Sequence, residues 1–335
     1  MIYRAPLTKN IECIHPMKKW YTACKKAASE LYNSIPDTYR TRTFPGIIGD
    51  IKALSSKKAL SLFTRKSGLG KQYAYLYMTQ GIDGGKGYQA CASEALSSVL
   101  GDSRNDIIHG KILDVGCAVG VTAGILSLEN VTGFDLFHDL LGAAKTIDSL
   151  SSRRNSYVVS DMTGTWPYRS VFDTVICGLV CHHLKIQRDI TDFFTNANQV
   201  LKQPGSLVIT MPSGSISEVS YLNSVFSGIE EFGFRVNRKL SGIVLSDDSS
   251  HSLFWMFLII AEKKSDKTGD IFIRPSFGFP MYRTPLTREE KGIKAKETAK
   301  KERIVRHTNF KFINIDDLEK NVSDKILVYS TLSEL

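Results

Sequence analysis

The stretch Ile112-Leu113-Asp114-Val115-Gly116-Cys117-Ala118-Val119-Gly120 decides the fold of this chain. Its apolar first half predicts a short buried strand, and its glycines predict a tight turn that opens a helix. Glycine permits the backbone geometry of such a turn and lets a ligand approach the main chain. Because the first N–H groups of a helix have no partner within that helix, the stretch predicts a ligand-binding loop.

Strand and helix patterns alternate outward from this loop. Helices are expected between the strands, and the last two strands are close enough in sequence for a hairpin. The predicted strands are 112–115, 131–134, 157–159, 172–178, 206–210, 234–245 and 254–262. The alternation predicts an α/β fold, a Rossmann-like doubly wound sheet of seven strands whose last strand is antiparallel.

Three regions follow from this pattern: a helical, basic N-terminal cap (1–105), a ligand-binding core (106–264) and a C-terminal extension (265–335). The cap is expected to contain helices at 16–32, 55–63 and 88–100 and a glycine-rich loop at 80–87. The extension is expected to contain an extended segment at 271–285, a charged helix at 287–307 and a short strand and helix within 309–329.

The chain of 335 residues has a formal net charge of +9, and residues 1–105 contain 16 basic and 7 acidic residues. A basic flank beside a nearly neutral core indicates an anionic partner, such as nucleic acid or a phosphorylated or lipid substrate. A solvated basic surface explains the same excess equally well.

The six cysteines are scattered and form no CxxC pair, which favours reduced thiols in a cytoplasmic protein. The N-terminus shows no signal peptide, and no apolar run reaches the ~20 residues that a transmembrane helix needs. Cys177, Cys181, His182 and His183 lie close in sequence, but without a second ligand cluster no metal site is predicted.

Three further features follow the glycine loop in order. Asp135 ends the second strand, where a carboxylate can accept hydrogen bonds from ribose hydroxyls. Ser160-Asp161-Met162 ends the third strand, where a polar group can contact an adenine and a methionine can pack on its ring. Leu201-Lys202-Gln203-Pro204-Gly205 precedes the fifth strand. Together they predict a nucleoside-containing ligand at the carboxyl ends of the strands.

These motifs, with Phe172-Asp173 and Cys181-His182-His183-Leu184, resemble the class I methyltransferase family, in particular its small-molecule type related to ubiquinone-biosynthesis methyltransferases. The resemblance covers about residues 111–210. Ala118 replaces the middle glycine of the family loop, and Gln203 departs from its LKPGG motif. An NAD-dependent Rossmann enzyme shares the acid after the second strand but not the later series.

The resemblance implies S-adenosyl-L-methionine as cofactor. It assigns Asp114 and Gly116 to the methionine end of the cofactor, Asp135 to the ribose, and Asp161 with Met162 to the adenine. The remaining predicted cofactor-binding residues flank these positions or precede the first strand: Cys117, Gly120, Leu136, Gly178 and Tyr88.

The segment before the first strand often folds over the cofactor in this family. Tyr73, Tyr77 and Tyr88 are therefore expected near the entrance of the site, although ordinary core tyrosines of a helical cap are the alternative.

Methyl transfer is a displacement at a sulfonium carbon, so the protein must position the nucleophile and, where needed, remove a proton. Histidine has a suitable pKa, and His182, His183 and His251 are the predicted catalytic bases. The alternative is that His182 and His183 only begin the helix after the fourth strand.

The sequence thus favours a methyltransferase that acts on an oxygen, nitrogen or carbon of a small or medium-sized acceptor. A nucleic-acid methyltransferase that holds phosphates through residues 1–105 is the first alternative. A non-catalytic partner protein that retains the fold is the second.

Overall fold

The computed structural model describes residues 14–43, 47, 68–81, 88–181, 184, 187–212, 228–246, 255–266 and 310–317. Several predicted features lie outside these residues: the helix at 55–63, most of the glycine-rich loop at 80–87, the segment at 271–285 and the helix at 287–307. Of the helix expected between the fifth and sixth predicted strands, the structure describes the end, where residues 228–231 are helical.

One mixed sheet of nine strands forms the centre of the described structure. The strands are β1 (Ile112–Val115), β2 (Val131–Asp135), β3 (Ser156–Val159), β4 (Phe172–Gly178), β5 (Leu201–Pro212), β6 (Phe234–Val236), β7 (Gly242–Ser246), β8 (Trp255–Lys263) and β9 (Phe310–Asn314). Their order is β3-β2-β1-β4-β5-β8-β7-β9, and β6 also pairs with β8. The first five strands are parallel, whereas β8 is antiparallel to β5, β6 and β7.

The predicted doubly wound α/β sheet with an antiparallel strand near its end is confirmed, but it contains nine strands instead of seven. One reason is a turn at Asn237, whose carbonyl accepts the Leu240 amide 3.2 Å away, so that the segment predicted as one strand becomes β6 and β7. The other reason is β9, a strand from the C-terminal extension that pairs antiparallel with β7. The short strand expected within 309–329 is therefore part of the main sheet.

Helices cover both faces of the sheet. The α-helices are α1 (Ile14–Tyr32), α2 (Asp37–Arg40), α3 (Leu69–Leu76), α4 (Tyr88–Leu100), α5 (Arg104–Ile107), α6 (Val121–Ile125), α7 (His138–Ser151) and α8 (Gln187–Val200). A π-helical turn, Tyr77–Gly81, continues α3. Among the described residues, no helix has the length and apolar character required to cross a membrane.

The N-terminal helices pack directly on the core helices α6 and α7. Trp20 of α1 is 1% exposed and shares a hydrophobic cluster with Val121, Ile125 and Leu140. A Cβ atom added to Gly124 of α6 would lie within 3.0 Å of three atoms of the Trp20 indole. The absence of a side chain at residue 124 is therefore what allows α1 to lie this close to α6.

Two other clusters fill the sheet faces. On one face α8 contributes Phe193 and Phe194 to a cluster with Phe172 and Phe257. On the other face α4 contributes Leu96 to a cluster with residues of β1, β4 and β8. This second cluster packs α4 against the sheet beside β1, the strand that leads into the glycine loop.

The C-terminal end of α8 is capped by a buried lysine. Lys263 is 1% exposed, and its Nζ donates to the carbonyl oxygens of Asn198 at 2.7 Å and Leu201 at 2.9 Å. Helix ends leave carbonyl groups without partners, and a buried ammonium satisfies two of them here. This contact joins β8 to the junction between α8 and β5.

Candidate active site

The glycine loop between β1 and α6 has the backbone geometry that its sequence predicts. Gly116, Ala118 and Gly120 have φ angles of 70°, 49° and 77°, in the left-handed region. A Cβ on Gly116 would lie within 3.0 Å of both Val180 methyl groups, and one on Gly120 would lie 2.9 Å from the Tyr157 hydroxyl. These two positions therefore require glycine, whereas Ala118 adopts the same region at a cost in strain.

Asp135 ties the glycine loop to the end of β2. Its Oδ2 accepts the Ala118 amide at 2.9 Å and its Oδ1 accepts the Phe137 amide at 2.9 Å. Burial raises the pKa of Asp135 to about 6, and the hydrogen bonds from Phe137, Ala118 and Leu136 oppose that shift. A carboxylate has about four acceptor sites, so beside these three backbone amides Asp135 retains capacity for about one further donor.

Asp114 is a second buried carboxyl group beside the same loop, and it is 2% exposed. Burial, and then the neighbouring Asp135, raise the pKa of Asp114 to about 7. Unlike Asp135, it has no hydrogen bond from a described residue that lowers its pKa. Two adjacent carboxyl groups with raised pKa values favour a ligand that brings positive charge or hydrogen-bond donors.

An open cavity lies between the glycine loop and the N-terminal helices, with an empty volume of about 390 Å³. This volume includes space that is open to solvent, so the cavity is a cleft at the protein surface. The cavity is lined by the loop residues 116–118, by α4, by the start of α6 and by the ends of β4 and β5. It therefore lies at the carboxyl ends of the parallel strands, where ligands of open α/β sheets bind.

Three predicted cofactor residues line this cavity: Gly116, Cys117 and Gly178. Cys117 is 4% exposed, and its amide donates to the Phe134 carbonyl at 2.9 Å. Tyr77, expected near the entrance, also lines the cavity. Tyr88 is the first residue of α4, and its side chain lies outside the described residues.

The adenine side of the predicted site lies beyond β3. The Oδ1 of Asp161 accepts both the Thr163 amide at 2.9 Å and the Thr163 hydroxyl at 2.8 Å, so it stabilises the turn after β3. Met162 is half-buried and packs on the core cluster. Leu136 is likewise half-buried, directly after Asp135. The cofactor-binding roles of Asp161, Met162 and Leu136 therefore remain predictions.

The end of β4 forms a constrained turn next to the cavity. Leu179, which lines the cavity, has φ 57°, and its amide lies 2.9 Å from the Thr210 carbonyl. The Cys177 and Cys181 sulfurs are 3.2 Å apart, and both side chains are fully buried. No metal-binding group of three His, Cys, Asp or Glu side chains occurs within the residues that the structure describes.

The predicted bases His182, His183 and His251 lie outside the described residues, so their positions remain predictions. Sequence reasoning missed four polar residues of the cavity: Gln89, Ser93, Thr122 and Thr210. A usable signal for the first two existed. Gln89 and Ser93 are polar residues four positions apart on α4, and the neighbouring residues Ala90, Ala92 and Leu96 are apolar.

The loop, the paired carboxyl groups and the cavity fit a nucleoside ligand with a charged end, and the sheet order matches the class I methyltransferase fold. Residues 113–209 match the family model described as "Methyltransferase domain". This match confirms the predicted methyltransferase fold, the enzyme class and S-adenosylmethionine as the cofactor. The narrower resemblance to ubiquinone-biosynthesis enzymes remains a prediction.

Solved structures of similar fold include an S-adenosylmethionine-dependent methyltransferase from Clostridium acetobutylicum, with 11% identity, a TM-score of 0.44 and coverage of 58% of this chain and 98% of that one. A putative S-adenosylmethionine-dependent methyltransferase from Listeria monocytogenes has 15% identity, a TM-score of 0.40 and coverage of 52% and 100%. A protein from Pyrococcus horikoshii has 18% identity, a TM-score of 0.43 and coverage of 58% and 99%. The comparison with curated proteins gives no match.

Proposed function

We propose that this chain binds S-adenosylmethionine between the glycine loop and α4 and transfers its methyl group to an oxygen, nitrogen or carbon of a small or medium-sized acceptor. The observation that carries the proposal is the pairing of a glycine loop, which a side chain at residue 116 or 120 would obstruct, with the buried carboxylate of Asp135.

The residues of the site have separate roles in this proposal. Asp135 accepts a hydrogen bond from a ribose hydroxyl at the acceptor site that its backbone donors leave available. Gly116 lets the ligand approach the main chain, and the Asp161 carboxylate at the turn after β3 contacts the adenine amino group. S-adenosylmethionine, when bound, supplies an electrophilic methyl group on a sulfonium.

Proton removal from the acceptor falls to the histidines predicted from sequence, His182, His183 and His251. The turn at Leu179 immediately precedes the first two, at the end of β4. The residues of α4 and β5 that line the cavity position the acceptor relative to the methyl group.

The proposal is tested by transfer of radiolabelled methyl groups from S-adenosylmethionine to fractions of a metabolite extract and, separately, to total RNA. Wild-type protein is expected to label a metabolite fraction, and Asp135→Ala is expected to label none. An exposed aspartate provides the matched control, because Asp106→Ala on α5 should label as wild type does. Cofactor binding without any labelling of either pool would contradict the proposed acceptor class.

A nucleic-acid acceptor is the second candidate function. It is supported by the exposed face of α1, which presents Lys18, Lys19, Lys25 and Lys26. Phosphate contacts by lysines make affinity fall steeply with salt. RNA binding that weakens with salt, and that is lost when these four lysines are replaced by alanine, would favour this function. No binding to RNA or DNA at low salt would contradict it.

A non-catalytic partner protein with this fold is the remaining alternative. It predicts a folded chain that does not bind S-adenosylmethionine or S-adenosylhomocysteine. Calorimetric titration with both compounds therefore separates it from the two enzyme hypotheses.

A further inference from the structure

The side-chain carbonyl oxygen of Gln89, in the candidate active site, accepts no hydrogen bond. Gln89 is the second residue of α4 and lines the cavity. Its Oε1 is buried and has no hydrogen-bond partner in the structure. A buried carbonyl oxygen without a partner is costly, which indicates that a ligand supplies the missing donor.

The other half of the same amide is already engaged. The Gln89 side chain is hydrogen-bonded to the Tyr77 hydroxyl, and because Oε1 has no partner this bond uses the amide nitrogen as donor. Tyr77 begins the π-helical turn that follows α3, and burial raises the pKa of its hydroxyl, which stays protonated. Such turns are rare and occur often at functional sites. Tyr77 therefore holds Gln89 in one orientation.

The position of Gln89 along the sheet indicates which part of the ligand it contacts. The cavity lies over β1, β4 and β5, whereas Asp135 ends β2 and Asp161 follows β3. In the order β3-β2-β1-β4-β5 these two carboxylates lie toward the β3 end, whereas the β4 and β5 residues that line the cavity with Gln89 lie toward the β5 end. A ligand whose ribose is held by Asp135 and whose adenine points to β3 extends its amino-acid end toward Gln89.

We infer that Gln89, oriented by Tyr77, accepts a hydrogen bond from the ammonium group at the amino-acid end of the cofactor. The inference rests on the proposed function, because it requires S-adenosylmethionine in this cavity. The ammonium is the cationic donor at that end of the ligand. The buried Asp114 carboxyl group beside the same loop favours positive charge in this region.

A ligand pair that differs only in this group provides the test. S-adenosylhomocysteine and its deaminated analogue, in which hydrogen replaces the ammonium, are titrated calorimetrically into wild type, Gln89→Met and Gln89→Glu. Methionine keeps the length of the side chain but has no carbonyl acceptor. Ser98→Ala, about two and a half helical turns away on the same helix and outside the cavity lining, is the control for general effects on α4.

Wild type is expected to bind S-adenosylhomocysteine about tenfold to a hundredfold more tightly than the analogue, as for a hydrogen bond to a charged group. Gln89→Met should reduce this preference to within about threefold, while Gln89→Glu and Ser98→Ala retain it. Tyr77→Phe, which loses the hydroxyl that orients Gln89, should reduce the preference by an intermediate factor.

Each other result overturns a distinct claim. A wild-type preference that Gln89→Met leaves intact overturns the role of Gln89, and equal binding of both ligands by wild type overturns the ammonium subsite. Loss of affinity for both ligands by the same factor in Gln89→Met also overturns the inference, since it shows a general defect. If folded wild type binds neither ligand, the proposed function fails and this inference fails with it.

Discussion

Substituting Gly124 by alanine tests how the N-terminal helices are attached to the core. Alanine improves helix propensity by about 1 kcal/mol over glycine. Here, however, the added Cβ would lie within 3.0 Å of three atoms of the Trp20 indole, which is 1% exposed and has no room to withdraw. Overpacking of this kind costs about 1–3 kcal/mol, and the rigid indole places the cost near the upper limit. The expected net loss is roughly 2 kcal/mol.

The assay is urea denaturation followed by circular dichroism, with Gly142→Ala as the matched control. Gly142 is an exposed glycine in α7, and an added Cβ would meet nothing within 4 Å. This control is expected to gain about 0.5–1 kcal/mol of stability, because helix-interior glycine is unfavourable. At about 2–4 °C per kcal/mol, the two variants should also differ clearly in thermal midpoint.

A double-mutant cycle identifies the cause. In a Trp20→Leu background the clash is relieved, so Gly124→Ala should no longer destabilise, with a coupling energy of about 2 kcal/mol. Stabilisation by Gly124→Ala equal to that by Gly142→Ala would refute a clash between the added Cβ and the indole. An equal loss of stability at residue 124 with and without the indole would refute it too.

Three further predictions concern the core and the loop. Lys263→Met leaves two helix-end carbonyls without their donor and should cost about 2–4 kcal/mol in urea denaturation, whereas Lys264→Met should change stability by under about 0.5 kcal/mol. Ala118→Gly should stabilise by about 0.5–1 kcal/mol, since φ is 49° there, and an unchanged or lower urea midpoint would contradict this. The pKa of Asp114 is raised from 3.8 to about 7, so the folded state binds this proton more tightly than the unfolded state does. The resulting gain in unfolding free energy is complete below about pH 4 and is lost as the pH rises to 7. Asp114→Asn should therefore lose less unfolding free energy between pH 4 and 7 than wild type does, and an identical pH profile would count against the assignment.

The sequence was sufficient for elements whose burial and pairing follow from their own residues. β1 is fully buried and apolar except for Asp114, β4 is buried along most of its length, and both have the predicted bounds. The interruption between β6 and β7 at Asn237 was not predicted. It depends on a turn and on the Asn237 amide, which donates to the Ile260 carbonyl of β8, 2.7 Å away. β9 was expected as a strand, but its place beside β7 depends on long-range pairing that no local pattern encodes.

The same limit applies to the site. The loop glycines and Asp135 were predictable because each has a local reason: a left-handed backbone, or the end of a strand. Gln89 was missed. Its spacing from Ser93 marks it as a polar position among apolar ones on α4, but its role depends on a cavity formed by segments distant in sequence and on an acceptor without a partner. Ala118 was expected to be tolerated because it is small. Ala118 adopts the left-handed backbone region, where the presence of a Cβ atom causes strain even in a small residue.

Calorimetric titration of S-adenosylhomocysteine into wild type, Asp135→Ala and Asp106→Ala tests the central claim most directly. The account predicts saturable binding with a stoichiometry of one to wild type and to Asp106→Ala, because residue 106 is exposed and lies outside the cavity lining. Asp135→Ala should bind at least about tenfold more weakly, since it loses the carboxylate that accepts a hydrogen bond from a ribose hydroxyl. Absence of binding to folded wild type, or equal affinity of all three proteins, would contradict the account.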